Sequence, residues 1–421
     1  DGVGRIAVAL VDLAEDRRRF EAFLSELDIP QAPGAGVTTL DEGLNVASLI
    51  GYPVLVRPSY VLGGRAMEIV YDATELVRFM KLAMELQTGH PILIDKYLMG
   101  KEVEVDAIAD GERVLIPGIM EHIERAGVHS GDSMAVYPGL GLTQEETDTI
   151  VDYTSRIGLA MNIRGLMNIQ FVITKEEGHS KIYILEVNPR GSRTVPFLSK
   201  VTGVPMVDVA VNVMLGKKLL EQGYDGGLWP PQPLVAIKAP VFSMSKLIGV
   251  DTYLGPEMKS TGEVMGIDHD FNGALTKALM AAGLSLPPEG SMLLSIADRD
   301  KAEALPIIRK LHAIGYNLYA TEGTAAMIEV AGLPVKRISK KLSEGHPNIV
   351  DMVRNGTVTG VINTSTGGRV PLRDGFHIRR AAAEKRVPCF TSLDTARVAI
   401  DALADKGHNY SIKSISEYRN D

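Results

Sequence analysis

The sequence predicts a protein of mixed α/β and α+β class with two folded regions of different character. In the first region, β-rich runs follow one another as hairpins between helices, which is typical of an α+β domain. From residue 292 onward, apolar strands alternate with helices, and this alternation is typical of a parallel α/β sheet. Residues 286–290 contain two prolines, an acid and a glycine, which indicates a linker. We therefore predict domains at residues 15–285 and 286–421.

The composition is that of a globular protein with substantial cores. Of 421 residues, 45% are hydrophobic and 23% charged, and the net charge of -8 comes from interleaved acids and bases. This pattern argues against general affinity for nucleic acid or anionic membranes. The single cysteine, Cys389, excludes an internal disulfide framework and a cysteine-rich metal site. Without a signal peptide or a bilayer-length apolar run, we expect a cytoplasmic protein with no nucleic-acid or membrane partner.

Residues 1–14 are too few for a domain before the predicted helix at Glu15, so we expect a stub of a longer chain. Later helix starts carry the spacing of a capping box, in which side chains satisfy free N–H groups of the first turn. The paired positions are Thr39 with Glu42, Asp72 with Glu75, and Thr143 with Glu146.

Two hairpins are predicted in the first region. The first joins residues 54–59 to 67–70 through Gly63 and Gly64, and the second joins residues 166–174 to 181–188. One further strand is predicted over residues 114–120.

The second region is predicted to have strands at residues 292–296, 316–320, 335–338 and 359–363. A helix is predicted near residues 300–314, where Pro306 predicts a kink or a later start.

The strand over residues 182–188 carries the first candidate site. Strand alternation places Ile182, Ile184, Glu186 and Asn188 on one face, and Tyr183, Leu185 and Val187 on the other. A carboxylate and an amide two residues apart direct two oxygen ligands at one point, and Gln170 on the partner strand supplies a third. Few protein oxygens, completed by phosphate oxygens and water, suit Mg²⁺ or Mn²⁺. This set predicts a metal-dependent ATP site.

Basic and glycine-rich residues surround this strand. Arg190 and Arg193 can hold an oxyanion and offset charge in phosphoryl transfer. Gly63 and Gly64 can close over phosphates, although the P-loop ending of Gly-Lys-Ser/Thr is absent. The loop over residues 127–132 contains His129, which is interpreted as a base, a hydrogen-bond donor to ligand or an ordinary turn residue.

Several long motifs resemble the large subunit of carbamoyl-phosphate synthetase. They include Glu186-Val187-Asn188-Pro189-Arg190, and further runs lie at residues 57–67, 120–124, 126–132, 193–197 and 260–266. The resemblance extends from about Glu15 to the end of the chain and is to the C-terminal half of that subunit. It implies an ATP-grasp fold followed by a parallel-sheet α/β domain of the methylglyoxal-synthase-like regulatory type.

The resemblance also implies roles for individual residues. Arg17 and Arg57 would contact ATP phosphates, and Arg190 and Arg193 would hold carbamate. The adenine and ribose pocket would be lined by Lys96, Leu98 and Glu102, and the nucleotide loop would be Gly127, Val128, His129 and Ser130. Divalent ions would bind Gln170, Glu186 and Asn188, with Gln170 and Glu186 also contacting nucleotide.

In the last domain, hydroxyls, an amide and lysines match the family's pocket for a nucleotide monophosphate effector. They are Ser295, Lys301, Thr321, Thr324, Lys341, Asn363 and Ser365. The sequence leaves open whether the effector is a pyrimidine nucleotide, a purine nucleotide or none. Here Lys96 stands where some relatives have histidine, and Thr366, Gly367 and Gly368 reshape the pocket.

The resemblance implies Mg-ATP-dependent phosphorylation of carbamate to carbamoyl phosphate, for pyrimidine and arginine biosynthesis. The implied partners are the N-terminal half of the large chain and a glutaminase small subunit. A second hypothesis is a non-catalytic regulatory fragment that binds nucleotide and effector. A third is another ATP-grasp ligase related to biotin carboxylase, which the regulatory tail disfavours.

Overall fold

The computed structural model describes residues 16–58, 67–86, 91–243, 251–339, 348–364, 374–405 and 410–420. The described residues form two compact units. One lies within Asp1–Lys238 together with Pro256–Met258 and Lys413–Asp421; the other comprises Ala239–Gly255 and Lys259–Ile412. These two units do not coincide with the predicted domains, which meet at residue 286. The predicted domain boundary therefore stays a prediction.

The first unit has seven described α-helices and eleven described strands, and it contains the beginning of a twelfth, β12, which continues past Lys238. Its helices are α1 (Arg17–Glu26), α2 (Leu40–Ile50), α3 (Ala73–Leu86), α4 (Gln144–Ala160), α5 (Val195–Thr202), α6 (Met206–Met214) and α13 (Ile415–Asn420). Its strands are β1 (Gly34–Val37), β2 (Val54–Pro58), β3 (Glu68–Val70), β4 (Ile92–Lys96), β5 (Lys101–Asp110), β6 (Val114–Ile116), β7 (Ile119–His122), β8 (Ala135–Tyr137), β9 (Arg164–Glu176), β10 (His179–Asn188), β11 (Gly227–Leu228) and β12 (Val235–Val241).

A small antiparallel sheet, in the order β1-β4-β2-β3, confirms the first predicted hairpin. Its apolar face packs with α2 and α3 around Val54, Val56 and Met80, all fully buried. The α2 helix begins with the predicted capping box, in which Thr39 and Glu42 satisfy each other's backbone N–H groups. It ends at Ile50, with Gly51 as its C-cap.

A larger sheet in this unit has the antiparallel order β10-β9-β5-β7-β8-β12, with β6 beside β5 and β11 beside β6. The second predicted hairpin is confirmed as β9 and β10, which are longer than expected because only Glu177 and Gly178 form the turn. The prediction of one strand over residues 114–120 is wrong. Pro117 and Gly118 separate β6 from β7, and Gly118 lies against the ring of Tyr137 with no room for a side chain.

The β10 strand differs from its predicted facing pattern. The pairing with β9 shifts register between Ile184 and Glu186, so Leu185 is an extra residue in β10. Val187 therefore joins Ile182 and Ile184 in the core, and the prediction that it lies on the opposite face is wrong. Glu186 remains outside the core, opposite Gln170.

The second unit contains a five-stranded parallel sheet in the order β16-β15-β14-β17-β18, which confirms the predicted α/β class. The strands of this sheet are β14 (Ser291–Ser295), β15 (Asn317–Thr321), β16 (Lys336–Ile338), β17 (Gly360–Asn363) and β18 (Cys389–Phe390). The unit also contains the strand β13 (Gly262–Asp268), which lies outside this sheet. Its helices are α7 (Phe271–Ala282), α8 (Lys301–Ala313), α9 (Glu322–Val330), α10 (Ile349–Arg354), α11 (Asp374–Lys385) and α12 (Leu393–Ala404).

The structure tests the prediction for the helix that contains Pro306 and shows the surroundings of Cys389. The α8 helix begins at Lys301 and includes Pro306, so of the two expected alternatives the later start is wrong and the kink stays a prediction. Cys389 lies in the edge strand β18, where burial raises the pKa of its thiol to about 12. Because the thiolate is the reactive form, this thiol is chemically inert at neutral pH.

Across the described part of the chain, no single helix combines the length and hydropathy needed to cross a bilayer. The α5 and α6 helices, bent by 112° at their junction, satisfy both criteria only when counted as a pair.

Candidate active site

Three carboxylates, which we call the acidic row, lie in the middle of the large sheet of the first unit. Glu102, Glu104 and Asp106 alternate along β5 with Val103 and Val105, and all three are at most 3% exposed. Antiparallel pairing places Glu104 opposite Gln170 and Asp106 opposite Asn168 on β9. The row therefore lies beside the predicted metal-binding strands.

His122 on β7 lies between two of these carboxylates. Its Nδ1 is 3.5 Å from Glu102 Oε1, and its Nε2 is 3.3 Å from Glu104 Oε2. Burial by itself would lower the pKa of His122, but the two carboxylates raise it. Burial raises the pKa of Glu102 to about 7. The pKa of Glu104 is lowered, because His122 and the charge of Lys238 outweigh the effect of burial.

The predicted metal ligands converge on one atom. Gln170 Nε2 and Asn188 Nδ2 each donate to Glu186 Oε1 over 2.9 Å. Amide nitrogen and oxygen are nearly interchangeable in shape, so rotating either amide would present an oxygen at the same point. One carboxylate and two amides then form an all-oxygen set that fits Mg²⁺. We call these three residues the oxygen triad.

The loop after β7 is held against the oxygen triad. Gln170 Nε2 donates to Ser130 Oγ over 2.9 Å, and Lys238 Nζ donates to the Ser130 carbonyl oxygen over the same distance. His129 Nδ1 accepts from the Gly131 backbone N–H at 3.0 Å. Burial lowers the pKa of His129, so the neutral ring carries its proton on Nε2. The same contact makes His129 the N-cap of a short 3-10 helix, and its role as base, donor or turn residue stays a prediction.

Two arginines follow the oxygen triad directly. Arg190 Nη2 donates to Asn188 Oδ1 over 3.1 Å, whereas the exposed Arg193 contacts Met258 Sδ at 3.3 Å. We call residues 189–193 the arginine loop. Ser192, between the arginines, donates to Asp106 Oδ2 over 2.6 Å.

Arg17 and Arg57 form a separate group. Arg17 Nη2 lies 3.0 Å from Asp95 Oδ1, and Arg57 Nε lies 3.4 Å from Asp95 Oδ2. The structure therefore brings these predicted phosphate ligands together at β4. Lys96 Nζ donates to the carbonyl oxygens of Gly51 and Tyr52, at 3.0 and 3.1 Å.

A small apolar cluster lies near the nucleotide loop. Ala126, Val172 and Tyr183 are buried, and Leu98 and Leu185 pack against them. The adjacent Gly127 has φ +103°, and a Cβ there would lie 2.7 Å from Ile69 Cδ1. Val128 follows at the start of the loop and is half-buried.

In the second unit, the predicted effector residues gather at one edge of the parallel sheet. Ser295, Thr321 and Asn363 end the neighbouring strands β14, β15 and β17, and Asn363 Nδ2 donates to the Ser295 carbonyl oxygen over 3.1 Å. Thr321 Oγ1 lies 3.3 Å from Thr324 Oγ1 in α9. Lys301 begins α8, where its Nζ pairs with Asp298 at 2.7 Å. Lys341 and Ser365, like Gly63 and Gly64, lie outside the described residues.

Sequence reasoning missed several polar residues of the site: Glu104, Asp106, His122, Asn168, Ser192 and Lys238. The run Glu102–Asp106 alternates acids with valines inside an apolar strand, and that pattern could have predicted the acidic row. Lys238 could have been noticed as the only charge in the apolar strand β12, where it is 1% exposed.

Two family models match this chain, one in each of the two predicted regions. The ATP-binding domain of the carbamoyl-phosphate synthase L chain matches residues 16–222, and the MGS-like domain matches residues 303–391. The carbamoyl phosphate synthase large chain of Thermomicrobium roseum is 58% identical over 409 residues. This match includes 97% of the present chain but 38% of the relative, so the chain spans well under half of that protein.

Solved structures share a fold with about two thirds of this chain at low sequence identity. The biotin carboxylase domain of 2-oxoglutarate carboxylase from Hydrogenobacter thermophilus, in complex with MgADP, ADP and bicarbonate, is 19% identical. It covers 65% of this chain and 66% of its own, with a TM-score of 0.52. Biotin carboxylase from Campylobacter jejuni is 18% identical, covers 65% and 67% of the two chains, and has the same TM-score. These similarities support the predicted ATP-grasp fold.

Proposed function

Because the chain belongs to the carbamoyl-phosphate synthase large-chain family, we propose that its first unit transfers a phosphoryl group from ATP to carbamate. The products are carbamoyl phosphate and ADP. The observation that carries this proposal is the convergence of Gln170 and Asn188 on Glu186 Oε1, directly before the arginine loop. A phosphoryl donor and an anionic acceptor can therefore be held side by side.

The oxygen triad is the proposed holder of Mg²⁺, or of Mn²⁺, between protein and phosphate oxygens. A bound divalent ion would offset the charge that develops on the transferred phosphoryl group. Arg190, already directed at Asn188 Oδ1, is in place to contact an anion beside the triad. We assign Arg190 and Arg193 to carbamate, whose carboxylate matches the planar fork of a guanidinium.

The remaining predicted residues are assigned to the nucleotide. The apolar cluster of Leu98, Val172 and Tyr183 offers a surface for the adenine ring. His129 offers an N–H from its Nε2, and Glu102 offers an acceptor for ribose hydroxyls. Arg17 and Arg57 are assigned to phosphates, for which they would exchange their contacts with Asp95. Lys96 is assigned to the adenine side of the pocket.

The second unit is proposed to bind a nucleotide monophosphate that regulates the first. Hydroxyls and an amide at the carboxyl ends of three parallel strands, with Lys301 at a helix start, are suited to an anionic ligand. We further propose that the chain acts in pyrimidine and arginine biosynthesis in the cytoplasm. Its partners would be the N-terminal half of the large chain and a glutaminase subunit.

The experiment that tests this function is the reverse reaction, because it needs neither glutamine nor the rest of the large chain. Purified protein is mixed with carbamoyl phosphate and Mg-ADP, and ATP is measured by luciferase. We expect ATP formation that requires protein, Mg²⁺ and carbamoyl phosphate together. Binding of both ligands without any ATP would instead favour the non-catalytic regulatory fragment. ATP turnover dependent on biotin would favour the biotin-carboxylase relative.

A further inference from the structure

The arginine loop is tied to the sheet by Ser192, whose hydroxyl and backbone N–H both hydrogen-bond Asp106. Ser192 Oγ donates to Asp106 Oδ2 over 2.6 Å, and the two residues are 86 positions apart. Asp106 is fully buried at the end of the acidic row, and its other oxygen lies 3.3 Å from Asn168 Nδ2. The acceptor is thus held on a rigid strand.

Backbone contacts complete the attachment of the loop. Ser192 Oγ also accepts from the Thr194 N–H at 2.9 Å, just before α5 begins. At the other end, the Arg190 N–H donates to the Asn188 carbonyl oxygen over 2.7 Å. The hydroxyl of Ser192, together with its backbone N–H, joins the middle of the loop to the acidic row, and Ser192→Ala removes the hydroxyl bond alone.

Both arginines lie at the protein surface. Arg190 and Arg193 are exposed, whereas Ser192 between them is half-buried and Thr194 is buried. Binding a ligand orders the backbone of a loop as well as its side chains, and a backbone that is already fixed removes the backbone part of this cost. The reaction rate also depends on where the arginines hold the substrate, since a displacement of about 1 Å can reduce a rate by roughly 100-fold.

We propose that Ser192 and Asp106 are positioning residues that set the place of Arg190 and Arg193 relative to the oxygen triad. They touch neither nucleotide nor metal in this role. Asn168 connects the acidic row with the oxygen triad, because it donates to Glu104 over 2.8 Å and accepts from Asn188 over 3.4 Å. The inference rests on the proposed function, since it assigns the arginine loop to carbamate and carbamoyl phosphate.

The test compares Ser192→Ala with Ser192→Thr, which keeps a hydroxyl, and with Ser199→Ala as a matched control. Ser199 lies in α5, where its hydroxyl accepts from the Met206 N–H over 3.3 Å. Calorimetry measures binding of carbamoyl phosphate and of Mg-ADP separately, and the reverse reaction gives kcat and KM for each substrate. Asp106→Asn and the double variant with Ser192→Ala and Asp106→Asn complete a double-mutant cycle, which measures the coupling between the two residues.

We expect Ser192→Ala to weaken carbamoyl phosphate binding and raise its KM by roughly 10-fold, the effect of losing one hydrogen bond. Mg-ADP affinity should stay unchanged, Ser192→Thr should recover most of the loss, and the double variant should be no weaker than the worse single variant. Equal effects on both ligands, or wild-type affinity in Ser192→Ala, would overturn the proposal. If the wild-type chain bound no carbamoyl phosphate, the proposed function itself would fail first.

Discussion

Lys238 Nζ donates to the carbonyl oxygen of Ser130 over 2.9 Å, although 108 positions separate the two residues. The hydroxyl of the same serine accepts from Gln170, a member of the oxygen triad. Lys238 is 1% exposed, and its charge helps to keep the pKa of Glu104 low. One buried cation therefore connects the nucleotide loop with the acidic row.

We expect Lys238→Met to destabilise the chain by roughly 3–5 kcal/mol, because it leaves buried carboxylates without their compensating charge. Mg-ADP binding should also weaken as Ser130 loses its partner. Urea unfolding and calorimetry measure the two effects. Lys217→Met, which changes an exposed lysine, is the control and should alter neither.

Glu186→Gln is expected to lower ATP formation from carbamoyl phosphate and Mg-ADP by roughly 10²–10³-fold, the range for losing a group that stabilises transition-state charge. Asn188→Asp should act similarly, while nucleotide still binds weakly. The luciferase assay measures the loss. Glu177→Gln, at the exposed turn of the same hairpin, is the matched control. Full activity of Glu186→Gln would remove the metal assignment.

Gly127→Ala is expected to lower the free energy of unfolding by about 1–3 kcal/mol, because the residue has a positive φ and a Cβ would press on Ile69. Nucleotide binding should weaken as the loop moves. Gly178→Ala is a matched control, since Gly178 has φ +86° with nothing within 4 Å of a Cβ. The difference between the two variants in thermal unfolding and Mg-ADP affinity isolates the crowding at residue 127.

Asp268 provides a pH-dependent prediction in the second unit. Burial alone would raise the pKa of Asp268, but hydrogen bonds from Lys277 and from the His269 N–H lower it. Ser411 adds bonds from its hydroxyl and backbone N–H at 2.8 and 2.9 Å, and the pKa is about 2, against an ordinary 3.8.

Because the folded-state pKa is lowered, Asp268 stabilises the fold fully above about pH 5, and this contribution is lost as the pH falls toward about 2. Asp268→Asn should therefore unfold more readily than wild type at neutral pH, with a difference that shrinks between about pH 4 and 2. Chemical unfolding across this range measures it, with the exposed Glu289→Gln as control. A difference independent of pH would contradict the electrostatic explanation.

Lys301→Met is expected to weaken nucleotide monophosphate binding by roughly 10-fold, through loss of one ion pair to phosphate. Titration of the full chain with UMP and IMP measures this and distinguishes pyrimidine from purine preference. Lys310→Met, on the same helix and paired with Asp401, should bind as wild type. If neither nucleotide bound the wild-type chain, the effector assignment would be wrong.

Much of the architecture was predictable from local patterns. Capping spacing at Thr39 and Thr143 marked helix starts, and the two hairpins and the parallel sheet followed from runs of apolar residues. Such signals act over a few residues, so they are readable in sequence. The oxygen triad was predictable in the same way, because Glu186, Asn188 and Gln170 lie on two strands of one hairpin.

Other predictions from local sequence patterns were wrong. Alternation assigned Val187 to the wrong face because a single inserted residue, Leu185, changes the register, and a bulge has no sequence signature of its own. Likewise, Pro117 and Gly118 split one predicted strand into two.

By itself, the sequence determined the fold class, the family and the residues of the oxygen triad, since periodicity and motif spacing are local properties. Only the tertiary structure decided how distant residues meet: Lys238 at Ser130, His122 between Glu102 and Glu104, and Ser192 at Asp106. These contacts depend on strand order and register across the large sheet. Buried polar groups must find partners there, and the partners come from whichever strand the fold places alongside.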